Sequence, residues 1–154
     1  MKKICWKKVA GCLVFLAGII FPALLPLTAG ADEYKFMGPG DLKVRLEMHE
    51  PMILVDIQEK NAYLEHHFYG SISTRAFPVR TESDTQGLAE AVQLYKQTRH
   101  VIVIIGPRGG GASQRAQDFL ISRGIPGEDI HILEGGIREW PYREMLLNLQ
   151  GGCG

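Results

Sequence analysis

The chain of 154 residues predicts a three-layer α/β domain, with a central, mainly parallel sheet of about five strands flanked by helices. Three observations carry this expectation. Met52 to Ile57 and Val101 to Ile105 are short, almost unbroken apolar runs, as strands buried on both faces read. Between and after them, apolar residues recur at helical spacing: Leu88, Ala91, Val92 and Tyr95, then Ala112, Ala116, Phe119 and Leu120. Strand-like and helix-like pieces alternate along the chain, which is the order that builds a parallel sheet covered on both sides.

Taken in order, Tyr34 to Met37 reads as a short edge strand, broken by Gly38-Pro39-Gly40. Asp41 can cap a helix by accepting backbone N–H bonds, and that helix runs to about Met48. Met52 to Ile57 is a buried parallel strand containing Asp56. A short helix is expected from Asn61 to His66, and an irregular strand from Ser71 to Val79 that ends at Pro78. Ser83 to Gln97 is predicted as one amphipathic helix. Val101 to Ile105, all β-branched, is the best candidate for the central strand. The next helix begins near Ala112 and stops near Gly124. Ile130 to Leu133 is a further strand, and Gly135-Gly136 turns into a last helix carrying Trp140, with its indole on the inward side.

The first 31 residues stand apart. Lys2, Lys3, Lys7 and Lys8 form a basic start, no charge follows until Asp32, and Ala29-Gly30-Ala31 supplies small residues for cleavage. A basic start, an apolar run and an A-x-A site define a secretory signal. Pro22 and Pro26 disfavour a continuous membrane helix, although the run is long enough for a retained anchor. Val9-Ala10-Gly11-Cys12 is similar to a lipoprotein acylation site but precedes the apolar region instead of following it. The expected organisation is a signal peptide over 1–31, one domain over 32–147 and a flexible Gly-rich tail over 148–154, in the periplasm or secreted, or membrane-anchored if the signal stays.

All 17 acidic residues follow Ala31 whereas four of the 17 basic ones precede it, so the mature part is acidic. That argues against a nucleic-acid partner, which calls for a basic face. A mature part of this length buries one core without staples, so a monomer is expected. Cys5 and Cys12 leave with the signal, and Cys153 is then the only thiol. One cysteine allows a free thiol or an intermolecular bridge, not an internal disulfide. His49, His100 and His131 show no ligand spacing, and neither a metal nor a cofactor is expected.

The loop after Ile105 is the candidate site, because α/β sheets bind ligands at the carboxyl ends of strands. It reads Gly106-Pro107-Arg108-Gly109-Gly110-Gly111-Ala112-Ser113. Its glycines let the backbone curl, and the following helix aims its positive end at the same point, which together make an anion cradle. Arg108 adds a possible bidentate donor. The competing reading is a turn that only joins strand to helix. Gly106, four residues, Gly111, Ala112 and Ser113 copy the P-loop spacing, but Ala112 stands where the phosphate-reaching lysine belongs. Ser113 acts as a nucleophile only with a base beside it, and otherwise caps the helix or packs beside the loop.

Several segments together resemble the rhodanese-like domain family, from about Tyr34 to Arg143. Family members carry a strand ending in Asp-Val-Arg, and here it is Leu54-Val55-Asp56-Ile57-Gln58. A Glu-Tyr pair and a Gly-His-Ile-x-Gly-Ala-Ile segment follow in the family. Their counterparts are Ala62-Tyr63 and His66-His67-Phe68-Tyr69-Gly70-Ser71-Ile72. Near the end the family pattern Leu-x-Gly-Gly-x-x-x-Trp is matched at each fixed position by Leu133-Glu134-Gly135-Gly136-Ile137-Arg138-Glu139-Trp140.

The resemblance implies a sulfurtransferase fold whose active members open this loop with a cysteine. Alignment on Gly109 puts Gly106 at that position, and alignment on Ser113 puts Ile105 there. Neither is a nucleophile, which also excludes a phosphatase built on the same loop. Gln58 replaces an arginine, so an ion pair to Asp56 common in the family is lost. His67 takes the place of a motif histidine with a mainly structural role. The expected function is a non-catalytic module binding a small sulfur-containing or other anion, or a protein partner, through Gly106 to Ser113. Two alternatives stay open: sulfur transfer or carriage on Cys153, presented by its flanking glycines, and a structural module linked through a Cys153 disulfide.

Overall fold

The computed structural model describes residues 34–149. The expected signal peptide, Cys153 and most of the expected tail lie outside them. In chain order the elements are β1 (Phe36–Met37), α1 (Pro39–Glu47), β2 (Met52–Asp56), α2 (Lys60–Glu65), β3 (His67–Phe68) and β4 (Ile72–Ser73). There follow α3 (Glu82–Thr85), α4 (Leu88–Thr98), β5 (Val101–Ile105), α5 (Gly111–Ser122), β6 (Ile130–Leu133) and β7 (Leu146–Leu147).

Five strands form one sheet in the order β1-β6-β5-β2-β4, every pair parallel. β5 is its centre, as its β-branched run predicts. The apolar runs look continuous because both faces of each strand are covered. Ile102 and Ile104 face a core closed by Leu88, Ala91, Val92, Ala116 and Leu120 of α4 and α5. Val103 and Ile105 face a second core with Leu42 of α1, Phe68 and Trp140. Trp140 is buried, its ring edge-on to Phe68 at 4.8 Å and its Nε1–H donating to the Tyr142 carbonyl at 2.7 Å.

Five sequence expectations are corrected. Asp41 does not cap α1: the cap is Gly38, and Pro39 opens the helix because its missing N–H would have no acceptor there. The edge strand at the start narrows to Phe36–Met37. Of Ser71 to Val79 only Ile72–Ser73 is strand; the rest turns through Arg75 and Val79, both at positive φ, and a cis Phe77–Pro78 bond. The helix expected from Ser83 to Gln97 is two helices. α3 starts earlier on a Thr81–Asp84 capping box. The break falls at Gly87, where a Cβ would lie 2.0 Å from the Thr74 carbonyl oxygen, so the chain passes the residue after β4 at a distance only glycine permits.

The last helix is absent. Gly136 leads into a single 3₁₀ turn, Ile137–Glu139, and Trp140 already has an extended ψ of 114°. Pro141 is the reason, because a proline drives the residue before it out of the helical region. The chain then adds a two-stranded antiparallel sheet that sequence periodicity did not reveal, β7 pairing with β3. Contacts extend past residue 147: the Leu149 N–H donates to the Leu64 carbonyl at 2.8 Å.

Candidate functional site

The parallel register brings the carboxyl ends of β2 and β5 side by side, with Asp56 opposite Ile105. Beyond them lie two loops: 106–110, entering α5, and 58–59, entering α2. A cleft of about 370 Å³ opens between them. Arg108, Gly110, Gly111, Ala112 and Ser113 form one side, and Glu59, Ala62 and Phe77 the other. Five of the seven residues singled out for the anion loop line this cleft. Gly106 and Gly109 do not; they are buried behind it.

The loop's shape depends on a second glycine pair. The N–H groups of Ile137 and Arg138 donate to the carbonyls of Gly106 and Pro107, at 3.0 and 3.2 Å. Gly136 sits against the same backbone at φ +60°, and Gly109, at φ +61°, packs against the Leu133 carbonyl. The loop carbonyls are thus held from behind. None of the N–H groups of Arg108 to Ala112 donates to a backbone carbonyl among the described residues. The first-turn donors of α5 are orphaned by helix geometry in any case, and they carry the positive end of its dipole. This arrangement can hold an oxyanion.

Ser113 does not cap α5; the cap is Gly110, with no side-chain bond. Ser113 packs beside the loop and is only 1% exposed. A Cβ on Gly106 would lie 2.3 Å from Ser113 Oγ and 3.4 Å from Ile57 Cδ1. The hydroxyl therefore occupies the space that a side chain at position 106 would need. Gly106→Cys is expected to cost roughly 1–3 kcal/mol through this overpacking. Gly106→Cys/Ser113→Ala is expected to recover most of it, as read from urea-denaturation midpoints. Equal midpoints for the single and double variants would show that Ser113 yields at no cost.

Arg115 was missed by sequence reasoning. Its guanidinium clamps the 78–79 turn, with Nη2–H to the Pro78 carbonyl at 2.7 Å and Nε–H to the Val79 carbonyl at 2.9 Å. Its Nη1 lies 3.3 Å from where a Cβ on Gly111 would sit, so a second positive charge stands at the start of α5. The signal was present in the spacing, since residues four apart share a helix face. Arg108, by contrast, is exposed at the mouth.

Behind the cleft, Asp56 is fully buried. It accepts the Gln58 backbone N–H at 2.8 Å and the Gln58 Nε2–H at 3.0 Å, and the same amide also donates to the His66 carbonyl at 3.0 Å. Gln58 thus supplies neutral bonds where an arginine would supply charge. Burial pushes the Asp56 carboxyl up to about 7, against the opposing pull of both Gln58 bonds. His67 is buried, stacks on Tyr63 at 4.1 Å and has Nδ1 2.8 Å from the Tyr63 carbonyl. Among the described residues no group of three His, Cys, Asp or Glu side chains is placed to hold a metal ion.

A family model described as the rhodanese-like domain matches residues 39–141. No curated protein sequence matches the chain. Similar solved structures include a rhodanese-like domain from Anabaena, with a TM-score of 0.54 and 19% identity over 79% of this chain and 85% of that one. An As-Sb reductase from Leishmania major aligns with a TM-score of 0.60 and 13% identity, over 75% of this chain and 86% of that one. A yeast protein tyrosine phosphatase of the rhodanese family aligns with a TM-score of 0.51 and 18% identity, over 70% and 83%. At these identities the likeness is one of fold.

Proposed function

This chain belongs to the rhodanese-like domain family, and from that premise we propose that it is an exported, non-catalytic member that binds a small anion at the Gly106–Ser113 loop. The observation that carries the reading is a cradle of unpaired donors at a site with no thiol. No cysteine falls between residues 34 and 149. Gly106 stands where active members of the family are expected to carry theirs, and Ser113 Oγ fills the space beside it. The alternative position, Ile105, is buried in the second core. Export rests on the basic start, the apolar run and the Ala29-Gly30-Ala31 site. Intact-mass measurement of protein recovered outside the cytoplasm is expected to give a chain beginning at Asp32; a full-length mass there would favour the anchored form.

Titration with thiosulfate, sulfite, sulfate and phosphate tests the cradle. Saturable amide shifts are expected at Gly109, Gly110 and Gly111, with no thiocyanate formed from thiosulfate and cyanide. Absence of any saturable shift would remove the anion and leave a protein partner as the occupant of the loop.

A second reading is favoured by one contact. The Leu149 N–H bond to Leu64 ties the chain to α2, whose Ala62 lines the cleft, and Cys153 follows only four residues later. Four residues reach at most about 14 Å. In this reading the Cys153 thiolate takes the outer sulfur of thiosulfate as sulfite leaves, and then passes it to cyanide as thiocyanate. Thiocyanate formation by the native chain that disappears in Cys153→Ser would establish it over the non-catalytic reading.

A further inference from the structure

Large hydrophobic side chains are unevenly distributed over the surface of the domain. Among the described residues, the outer faces of α4 and α5 expose none, and those that are exposed lie on or beside β1, α1, β3 and β7. Met48 at the end of α1 is 68% exposed, and Tyr69, just past β3, is 83% exposed. Between these elements runs a groove of about 250 Å³, lined by Leu46, His49, Phe68, Tyr69 and Met145. Leu147 and Leu149, also exposed, continue along β7 and past it. Isolated apolar residues are ordinary on a surface, whereas a group of them beside a groove marks a docking site.

Three features select a second copy of this chain as the occupant. The first is shape. Tyr69 projects from the surface and also forms one wall of the groove, so a projecting ring and a hollow lie side by side. An interface about a two-fold axis needs both on one patch, because the patch meets itself. The second is charge. No Asp, Glu, Lys or Arg lines the groove, and near a two-fold axis any such charge would face its own like. The third is the stretch of chain that leaves this end. Residues 150–154 follow directly on Leu149 and include Cys153. Once residues 1–31 are removed, Cys153 is the only thiol, and it can form a disulfide only with another chain. It reaches at most about 14 Å beyond Leu149, and two such tails together span at most about 28 Å.

We propose that this face docks a second copy of the chain about a two-fold axis, with Tyr69 of each copy seated in the groove of the other. The inference goes beyond the reading of the loop and does not depend on it. One core suffices to fold the domain, so the dimer joins folded domains. Only its covalent form depends on export to an oxidising compartment. There the two Cys153 thiols become one disulfide, and a small disulfide such as oxidised glutathione takes up the two electrons and two protons and leaves as two thiols.

Analytical ultracentrifugation of the exported chain under reducing conditions, at concentrations up to about 1 mM as weak interfaces require, tests the docking. A concentration-dependent dimer is expected, and Cys153→Ser should retain it. Tyr69→Glu should weaken it by at least about tenfold, and Met48→Glu should weaken it independently. Both side chains are exposed, so neither substitution disturbs the core. Ala89→Glu adds the same charge on the outer face of α4 and should leave the dimer unchanged. With oxidised glutathione present, the native chain should run as a covalent dimer on a non-reducing gel, formed several-fold more slowly in Tyr69→Glu because docking no longer concentrates the two tails.

A chain that stays monomeric throughout overturns the proposal, and flotation of that monomer with phosphatidylcholine–phosphatidylglycerol vesicles would assign the face to a membrane instead. A dimer that Tyr69→Glu and Met48→Glu leave as strong as Ala89→Glu does has its interface elsewhere and also overturns it. Covalent dimers that form equally fast in Tyr69→Glu and the native chain would show that the thiols meet by chance encounter without the groove, the third overturning result.

Discussion

Gly136→Ala is expected to destabilise the domain by roughly 3 kcal/mol or more and to abolish anion binding at the loop. The residue has φ +60° and ψ −161°, a region that side chains make prohibitive. Space is the second obstacle. A Cβ there would lie 2.3 Å from the Gly106 carbonyl oxygen, 2.6 Å from the Arg108 nitrogen and 2.7 Å from the Gly109 nitrogen. All three are backbone atoms, so no flexible side chain can move aside. Either the 106–110 loop is pushed forward into the cleft, breaking the Ile137 and Arg138 bonds behind it, or the 135–136 turn retreats and unseats Trp140.

Gly124→Ala is the matching control. Gly124 also has positive φ, +86°, but nothing lies within 4 Å of its Cβ position, so only backbone strain of about 1 kcal/mol is expected. Urea-denaturation midpoints and sulfate titration of both variants give the comparison. A Gly136→Ala midpoint no lower than that of Gly124→Ala would mean that the two loops do not pack back to back.

Stability is expected to fall as pH rises from 5 to 8, with Asp56 responsible. Its carboxyl titrates near 7 in the folded chain against an ordinary value of 3.8. Between those values the folded chain holds a proton that the unfolded chain has lost. The stabilisation is therefore complete below about pH 4 and lost as pH rises through 7. Each proton held contributes about 1.4 kcal/mol per pH unit, so the whole window amounts to roughly 4 kcal/mol at most.

Two other groups set the background. Asp84 is held below the usual carboxylate range by N–H bonds from Arg80 and Thr81, and its contribution is lost only in acid below this window. His131 is pushed down by burial and then by Lys35 and Arg45, so it acts in the opposite direction, losing stability as pH falls below about 6.5. Asp56→Asn should therefore remove the decline and leave a slight rise that levels off above about pH 6.5. Gln58→Arg should remove it by holding the carboxylate ionised. Identical pH profiles for the native chain and Asp56→Asn would show that Asp56 titrates normally.

Much of the architecture was legible because it depends on short-range patterning. The apolar runs of β2 and β5 and the helical spacing of Leu88 to Tyr95 are local signals, and the parallel sheet followed from their alternation. Errors arose where distant segments meet. Gly87 splits a helix that its own periodicity favours, because the backbone of Thr74 lies against it. The β3–β7 pair is two residues long on each side, too short to carry a period. The loss of the last helix was legible in Pro141, whose restraint on Trp140 outweighs the helical pattern around it. Arg115 shares a helix face with Gly111, a spacing the sequence shows, but its partners, Pro78 and Val79, lie in a turn more than thirty residues away.

The candidate loop divides in the same way. The family, the sheet, the position of the loop at a strand's carboxyl end and the absence of a thiol within it are all readable along the chain. These follow from residue identity, period and order. Folding in three dimensions set the rest: Ser113 fills the space beside Gly106, Gly136 braces the loop from behind and Asp56 is buried on neutral partners. It also divided the cleft between helix start and carbon wall. These are approaches of a few ångströms between segments tens of residues apart. Such distances are set by how the helices and loops close over the sheet, which no local run of residues records.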